Sequence, residues 1–333
     1  MREWIERVWY QRKTAPLYLK PLAWLFGLIV FTRRQIYRHG GKGYRAPVPV
    51  IVIGNITVGG TGKSPLTAWL AGHLKTLGWK PLIVSRGYGG EAPQYPVLVD
   101  DTTPANEAGD EPLMLWEQTG LPVIVDPDRP RGVRWALEKE LGNIVICDDG
   151  LQHYALERDF EIVVFDGARA LGNGSLLPAG PLREPIARLQ QANVLVVTGH
   201  PDWERFPDGL RHSRVLHAVT LVPTGFRALV GDEKRPKEAF AGKPVHAVAG
   251  IGHPERFFET LRELGCEVIE HPFADHHTFK PADLAWPDHP VVMTAKDAVK
   301  CRQLAQENTW ILEVEAHPDP GVETALDNWL RKR

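Results

Sequence analysis

Short, nearly unbroken apolar runs recur along this chain, each followed by a polar or glycine-rich turn and then by a stretch with apolar residues three or four positions apart. The runs at 50–54, 81–85, 122–125, 143–147, 161–165 and 194–198 predict strands buried on both faces. Helices are predicted between them at 111–118, 131–141 and 187–191, and after residue 63, where Leu66, Leu70, Leu74 and Leu77 share helical spacing. This alternation predicts an α/β fold, a parallel sheet flanked by helices, with functional loops at the carboxyl ends of the strands. From 221 to 243 prolines, a Gly-Asp turn and mixed charge break the rhythm, as in a hairpin-like linker. A smaller α/β unit is expected beyond it, with strands at 245–249, 267–271, 290–294 and 310–314 and helices at 254–264, 297–306 and 323–331. The expected order is a helical segment over 1–40, a core domain over 41–220, the linker, and a C-terminal domain over 244–333.

The N-terminal segment has a different pattern. Residues 15–32, APLYLKPLAWLFGLIVFT, are flanked by Arg12, Lys13, Arg33, Arg34 and Arg38. A membrane-spanning helix needs roughly 20 apolar residues, and Lys20 and Pro21 interrupt this run. No small-residue cleavage site follows it. A helix lying in the membrane interface fits the segment better, with Trp4, Trp9, Tyr10, Tyr18 and Trp24 at headgroup level; a spanning helix and one packed on the protein are the alternatives. Elsewhere the chain reads as globular: 43% of its 333 residues are hydrophobic and the formal net charge is −2. That charge offers no general attraction to nucleic acid. Cys147, Cys266 and Cys301 show no paired or metal-ligand spacing, the usage of a reducing compartment.

Chemistry concentrates at the strand ends. The run VIVIGNITVGGTGKS (50–64) is an apolar strand entering a glycine-rich turn that ends in Gly62-Lys63-Ser64. Backbone N–H groups across Thr57, Val58, Gly59, Gly60, Thr61 and Gly62 can cradle phosphates, Lys63 can add a cation, and Ser64 can offer its hydroxyl to Mg²⁺. Thr57 stands where the strict Walker A pattern has glycine, so the turn is a variant; a purely structural glycine turn is the competing reading. The strand at 143–147 delivers Asp148-Asp149-Gly150, a Walker B arrangement in which a carboxylate holds Mg²⁺. Gln152 and His153 follow, either shaping the loop or touching substrate. Asp110 and Glu111 open a helix, where a structural role as cap and dipole partner stands level with a functional one. Arg86 and Tyr88 lie in the glycine turn SRGYGG, where Arg86 could meet an anion or fix the turn. The loop GNGSLLPAGPLREP (172–185) presents Arg183, suited to phosphate, and Glu184, suited to Mg²⁺ or an ammonium. Asp275-His276-His277 sets a carboxylate beside imidazoles, as a proton acceptor requires, although loop histidines are commonly surface residues.

Taken in order, PVIVIGNITVGGTGKSP (49–65), SRGYGG (85–90), GDEP (109–112), ICDDGLQH (146–153), LLPAGPLREP (176–185), GIGHPERFF (250–258), FADHHTF (273–279) and TAKDAVK (294–300) resemble the tetraacyldisaccharide 4′-kinases of Gram-negative bacteria, and the resemblance covers nearly the whole chain. A small hydroxyl residue in place of the first P-loop glycine is usual in that family. Ser64 stands where threonine is commoner, Leu151 replaces a phenylalanine, His253 an asparagine and Ala295 a glutamate.

The resemblance implies ATP and Mg²⁺ as cofactors and a P-loop kinase with a second, smaller domain. It implies a glycolipid substrate, tetraacyldisaccharide 1-phosphate, and a monotopic or peripheral enzyme on the cytoplasmic face of the inner membrane, held there by its N-terminal segment. No nucleic acid or protein partner is implied. Asp110 with His276, in preference to His277, would form an acid/base pair acting on the sugar hydroxyl. Lys63 would stabilise the transferring phosphoryl group, Ser64, Asp148 and Glu184 would surround Mg²⁺, and Asp149 would act on water or the lipid hydroxyl. Arg86, Tyr88 and Arg183 are the expected substrate contacts. A membrane-attached nucleotide switch is a rival; its guanine-specifying lysine and aspartate would be separated by one intervening residue, whereas Lys296 and Asp297 are adjacent. A soluble kinase of a small metabolite is a second rival, and it leaves the Trp-rich basic N-terminus without a role.

Overall fold

In the computed structural model the described residues are 2–12, 14–41, 43–199, 201–213, 215–304 and 307–333. Lys13, counted above among the basic flanks, and Gln306, the expected end of a helix, lie outside them. The chain forms two compact units. The first comprises Met1–Arg86, Asp126–Thr220 and His317–Arg333; the second comprises Gly87–Val125 and Leu221–Ala316.

The first unit is built on parallel strands in the order Val194–Thr198, Phe160–Asp166, Val50–Gly54, Ile144–Asp148 and Pro81–Ser85, with residues 216–219 pairing beside Val194–Thr198. The central strand is buried on both faces, and Val52 pairs with Cys147 on one side and Glu161 on the other. All these strands run the same way, so their carboxyl ends bring the P-loop, Arg86, Asp148 and Asp166 to one edge of the sheet. The helix Lys63–Thr76 buries Leu66, Leu70 and Leu74 on one face, whereas Leu77, expected on that stripe, caps the helix and is exposed.

The N-terminal helix Lys20–His39 contains the lysine and proline expected to interrupt it. They form its first turn, where proline is tolerated because the first N–H groups have no intrahelical acceptor. Only Ala23 is buried along its length. Among the described residues no helix is long and apolar enough to cross a membrane. Two of the five aromatics expected at headgroup level face the protein instead. The Tyr10 hydroxyl donates to Val58 O at 3.3 Å beneath the Arg169 guanidinium, and Trp9 Nε1 donates to Pro178 O at 3.0 Å.

The second unit contains parallel strands in the order Glu267–Pro272, Pro244–Ala249, Val291–Thr294 and Thr309–Pro318. The expected hairpin-like region does form a hairpin, part of Leu216–Ala228 pairing antiparallel with Lys234–Pro236. Phe226 and Phe240 from this region enter the core with Phe258 and Trp310. The unit also takes in Gly87–Val125, assigned from the sequence to the continuous 41–220 domain. The physical reason lies on the helix Asp110–Thr119: Glu117 pairs with Arg302 and, at 3.5 Å, with Arg227, and apolar alternation carries no record of such distant partners. In the same way the closing helix Pro320–Leu330 belongs to the first unit, where Asp327 meets His73 at 3.0 Å and Trp329 packs on Phe160.

Candidate active site

In the first unit the P-loop turns on Gly62, whose φ of 74° lies in the left-handed region that glycine adopts freely, and Lys63 begins the following helix. Thr57 needs no such freedom. It forms an antiparallel bridge with Leu182, Val58 N donates to Pro181 O at 2.9 Å and Arg183 N donates to Ile56 O at 2.6 Å. The 172–185 loop is therefore stitched to the P-loop as a short ribbon, in which Thr57 is buried. Asn55 Nδ2 reaches Gly59 O at 3.2 Å and Thr61 Oγ1 at 3.4 Å, fixing the turn from within. Gly60 has open space around it.

Lys63 Nζ lies 3.4 Å from Asp149 Oδ1, and Arg183 Nη1 lies 3.5 Å from Asp149 Oδ2. Burial opposes ionisation of Asp149, but Lys63 and Arg183 outweigh it and hold the carboxyl below its usual range. Asp149 has a φ of 46°, a strained conformation for a residue with a Cβ. Asp148, 1% exposed, accepts from Thr67 Oγ1 at 2.9 Å; Thr67 stands one helical turn after Ser64 and so on the same face. Glu184, also 1% exposed, accepts from the Tyr154 hydroxyl through Oε2, while its Oε1 is buried without a hydrogen-bond partner. Arg188, 3.6 Å from Glu184, is itself held by Glu161 through contacts of 2.8 and 2.5 Å. Burial, reinforced by Glu184, pushes the Tyr154 phenol up, so it remains a donor. Among the described residues no group of three His, Cys, Asp or Glu side chains forms a metal cage. Mg²⁺ takes one or two carboxylates and leaves its other positions to water and phosphate. Arg86 is exposed at the end of its strand.

The second unit brings together Asp110, Tyr88 and His276. Gly109 precedes Asp110 with a φ of 84°, and a Cβ there would stand 2.6 Å from Tyr88 O, so the turn and the helix start require a residue without a side chain. Asp110 is buried, and its Oδ2 lies 3.0 Å from His276 Nδ1. His276 has a φ of 60° and its N–H donates to Gly250 O, so backbone geometry aims the ring. Tyr88, 68% exposed, sets its ring 5.3 Å from that of His276. His277 turns elsewhere: its Nε2 lies 3.0 Å from Asp283 and its ring stacks on Phe273. Sequence reasoning did not single out Thr67, Tyr154, Arg188 or Lys300, and it weighed Lys296 only as half of a guanine-specifying pair; each of the five lies against a candidate site residue or its neighbour. Spacing offered signals for two sets: Thr67 is three residues beyond Ser64, and the lysines are four apart on one helix.

A glycine-rich turn with a lysine at a helix start, and paired aspartates after the neighbouring parallel strand, define a P-loop nucleotide-binding protein of the α/β class. The family profile for tetraacyldisaccharide-1-P 4′-kinase matches residues 15–331. The chain belongs to that family. It is 47% identical over 327 residues to the tetraacyldisaccharide 4′-kinase of Pseudomonas putida strain F1, covering 97% of this chain and 96% of that one. It is 48% identical over 322 residues to that of Pseudomonas aeruginosa PAO1, with 96% and 94% covered. Among solved structures it is similar to LpxK from Aquifex aeolicus crystallised in complex with ATP, with a TM-score of 0.79 and 29% identity across 95% of this chain and 98% of that one.

Proposed function

We propose that this protein transfers the γ-phosphate of ATP to the 4′-hydroxyl of a tetraacylated glucosamine disaccharide 1-phosphate in lipid A synthesis. The observation that carries this reading is the P-loop with Lys63 beside Asp149, in a chain that the kinase family matches over 15–331. ATP and Mg²⁺ are its cofactors. The buried, unpartnered Oε1 of Glu184 supports a place for the ion, and Ser64, Asp148 and Glu184 offer the hard oxygen donors that Mg²⁺ takes. When bound, the ion neutralises charge on the β- and γ-phosphates. Thr57 to Gly62 cradle the phosphates with backbone N–H groups. Lys63 and Arg183, both paired with Asp149 in this structure, turn to phosphate oxygens.

Asp110 takes the proton of the acceptor hydroxyl, and His276 orients that carboxylate. Tyr88 and Arg86 serve substrate contact. The N-terminal helix places the enzyme on the cytoplasmic face of the inner membrane; this reading is supported by exposed Leu22, Trp24, Leu25, Ile29 and Phe31 beside Arg33 and Arg34.

The test supplies γ-labelled ATP and the tetraacylated disaccharide 1-phosphate in mixed micelles. Label is expected in the organic-extractable lipid. Lys63→Ala should reduce that transfer by about two to three orders of magnitude, the scale of one preorganised transition-state contact, with the fold retained. Label released only as inorganic phosphate would refute the acceptor, and a fully active Lys63→Ala would refute the site.

A further inference from the structure

The short helix Ala295–Cys301 starts at Thr294, whose hydroxyl accepts the Asp297 N–H, and carries Lys296 and Lys300 on one face. Both ammoniums turn to the Asp110–His276 pair. Lys300 Nζ lies 3.7 Å from Asp110 Oδ2 and 2.9 Å from Asp297 Oδ1. Asp297 is fully buried, and its Oδ2 accepts from Gly250 N at 3.0 Å and Thr294 Oγ1 at 2.7 Å, so the anchor of Lys300 is itself fixed. Lys296 Nζ lies 3.5 Å from His276 Nε2, 3.5 Å from Asp275 Oδ1 and 3.6 Å from Glu111 Oε1. An ammonium has donors and no lone pair, so His276 Nε2 accepts from it. The assignment that satisfies both contacts puts the ring proton on Nδ1, donated to Asp110.

We propose that Lys296 and Lys300 are positioning residues of the Asp110–His276 pair, Lys296 setting the histidine tautomer and Lys300 fixing the carboxylate with a positive charge. The inference rests on the acid/base reading of that pair. The other groups facing it are Glu111 beside Asp110, Asp275 beside His276 and the Tyr88 ring; His277 is engaged by Asp283. Burial works against the charge on Lys296, but Glu111 and Asp275 outweigh it and raise its pKa, so the ammonium persists through neutral pH.

The charges predict a sign. Removing either lysine takes a positive charge away from the pair, and a nearby positive charge disfavours the addition of protons. Either change moves the acidic limb of the kcat profile upward. With the full-length enzyme, Lys300→Met and Lys296→Met should each shift that limb by about half to one pH unit, a charge near 4 Å in a largely aqueous field. Lys300→Arg and Lys296→Arg should restore it. Histidine ¹⁵N resonances of the unmodified protein read the tautomer independently of activity: His276 should be protonated at Nδ1. An Nε2–H tautomer, or methionine variants that lower kcat equally at every pH, would overturn the inference while Asp110→Ala remained inactive. Full activity in Asp110→Ala would overturn the acid/base reading and this inference with it.

Discussion

Burial, with the cations of Arg129 and Arg158 nearby, pushes the His153 imidazole down to about 4, whereas in the unfolded chain it titrates near 6.5. Between those values the unfolded chain binds a proton that the native protein does not. The His153 contribution is therefore fully present above about pH 6.5 and is lost as pH falls toward 4. Urea midpoints should drop between pH 7 and pH 5 by less in His153→Gln than in the unmodified protein; equal drops would place the proton uptake at other groups. At this scale the sequence was legible where chemistry is contiguous. GTGKS, DDG and LREP each hold their candidate residues in one short run, and Gln152 donates to Asn55 O at 2.8 Å, a contact its loop-shaping reading expects. It was not legible where a common residue acquires meaning from a neighbour far along the chain, as Tyr154 does from Glu184 and Lys300 from Asp110.

Among the elements, the strands Pro81–Ser85 and Val194–Thr198 have the bounds expected from their apolar runs, because a strand buried on both faces writes itself as a continuous block. The two-residue strand Val97–Leu98 and the helix Ala105–Ala108 are too short to have a period. The expected helix 297–306 is Ala295–Cys301, since the Thr294 side chain caps it two residues earlier. The N-terminal segment calls for a gentler test than deletion. Trp9 and Tyr10 bond to the first unit, so removing them would disturb the P-loop contact at Val58. Trp24→Ser with Phe31→Ser alters only exposed apolar surface, 73% and 58% accessible. This double variant should bind anionic vesicles at least about tenfold more weakly, at unchanged ATP affinity, since losing some 1.4 kcal/mol of partitioning accounts for a factor of ten. Equal vesicle binding would move the membrane contact to another surface.

At the scale of the whole molecule, the second unit is discontinuous in sequence. Gly87–Val125 contributes Asp110, Glu111 and Glu117, and the partners of these residues lie beyond residue 221. A fragment of residues 244–333, which sequence rhythm suggests as a domain, lacks those partners and also Phe226 and Phe240 of the core. It should show no cooperative thermal transition, and a sharp transition would mean that the C-terminal strands fold without the inserted helix. Strand and helix periods report local neighbours, so they could show two α/β regions but not which segments each unit shares. Synthesis on the ribosome adds a temporal side to the same arrangement. Asp110 and His276 are 166 residues apart, and at roughly 5–20 residues per second the nascent chain carries Asp110 for about ten to thirty seconds before the imidazole is made. Every strand that frames the P-loop is translated within that interval or before it. The nucleotide half is thus written first, and the Asp110–His276 contact is among the last features the growing chain can form.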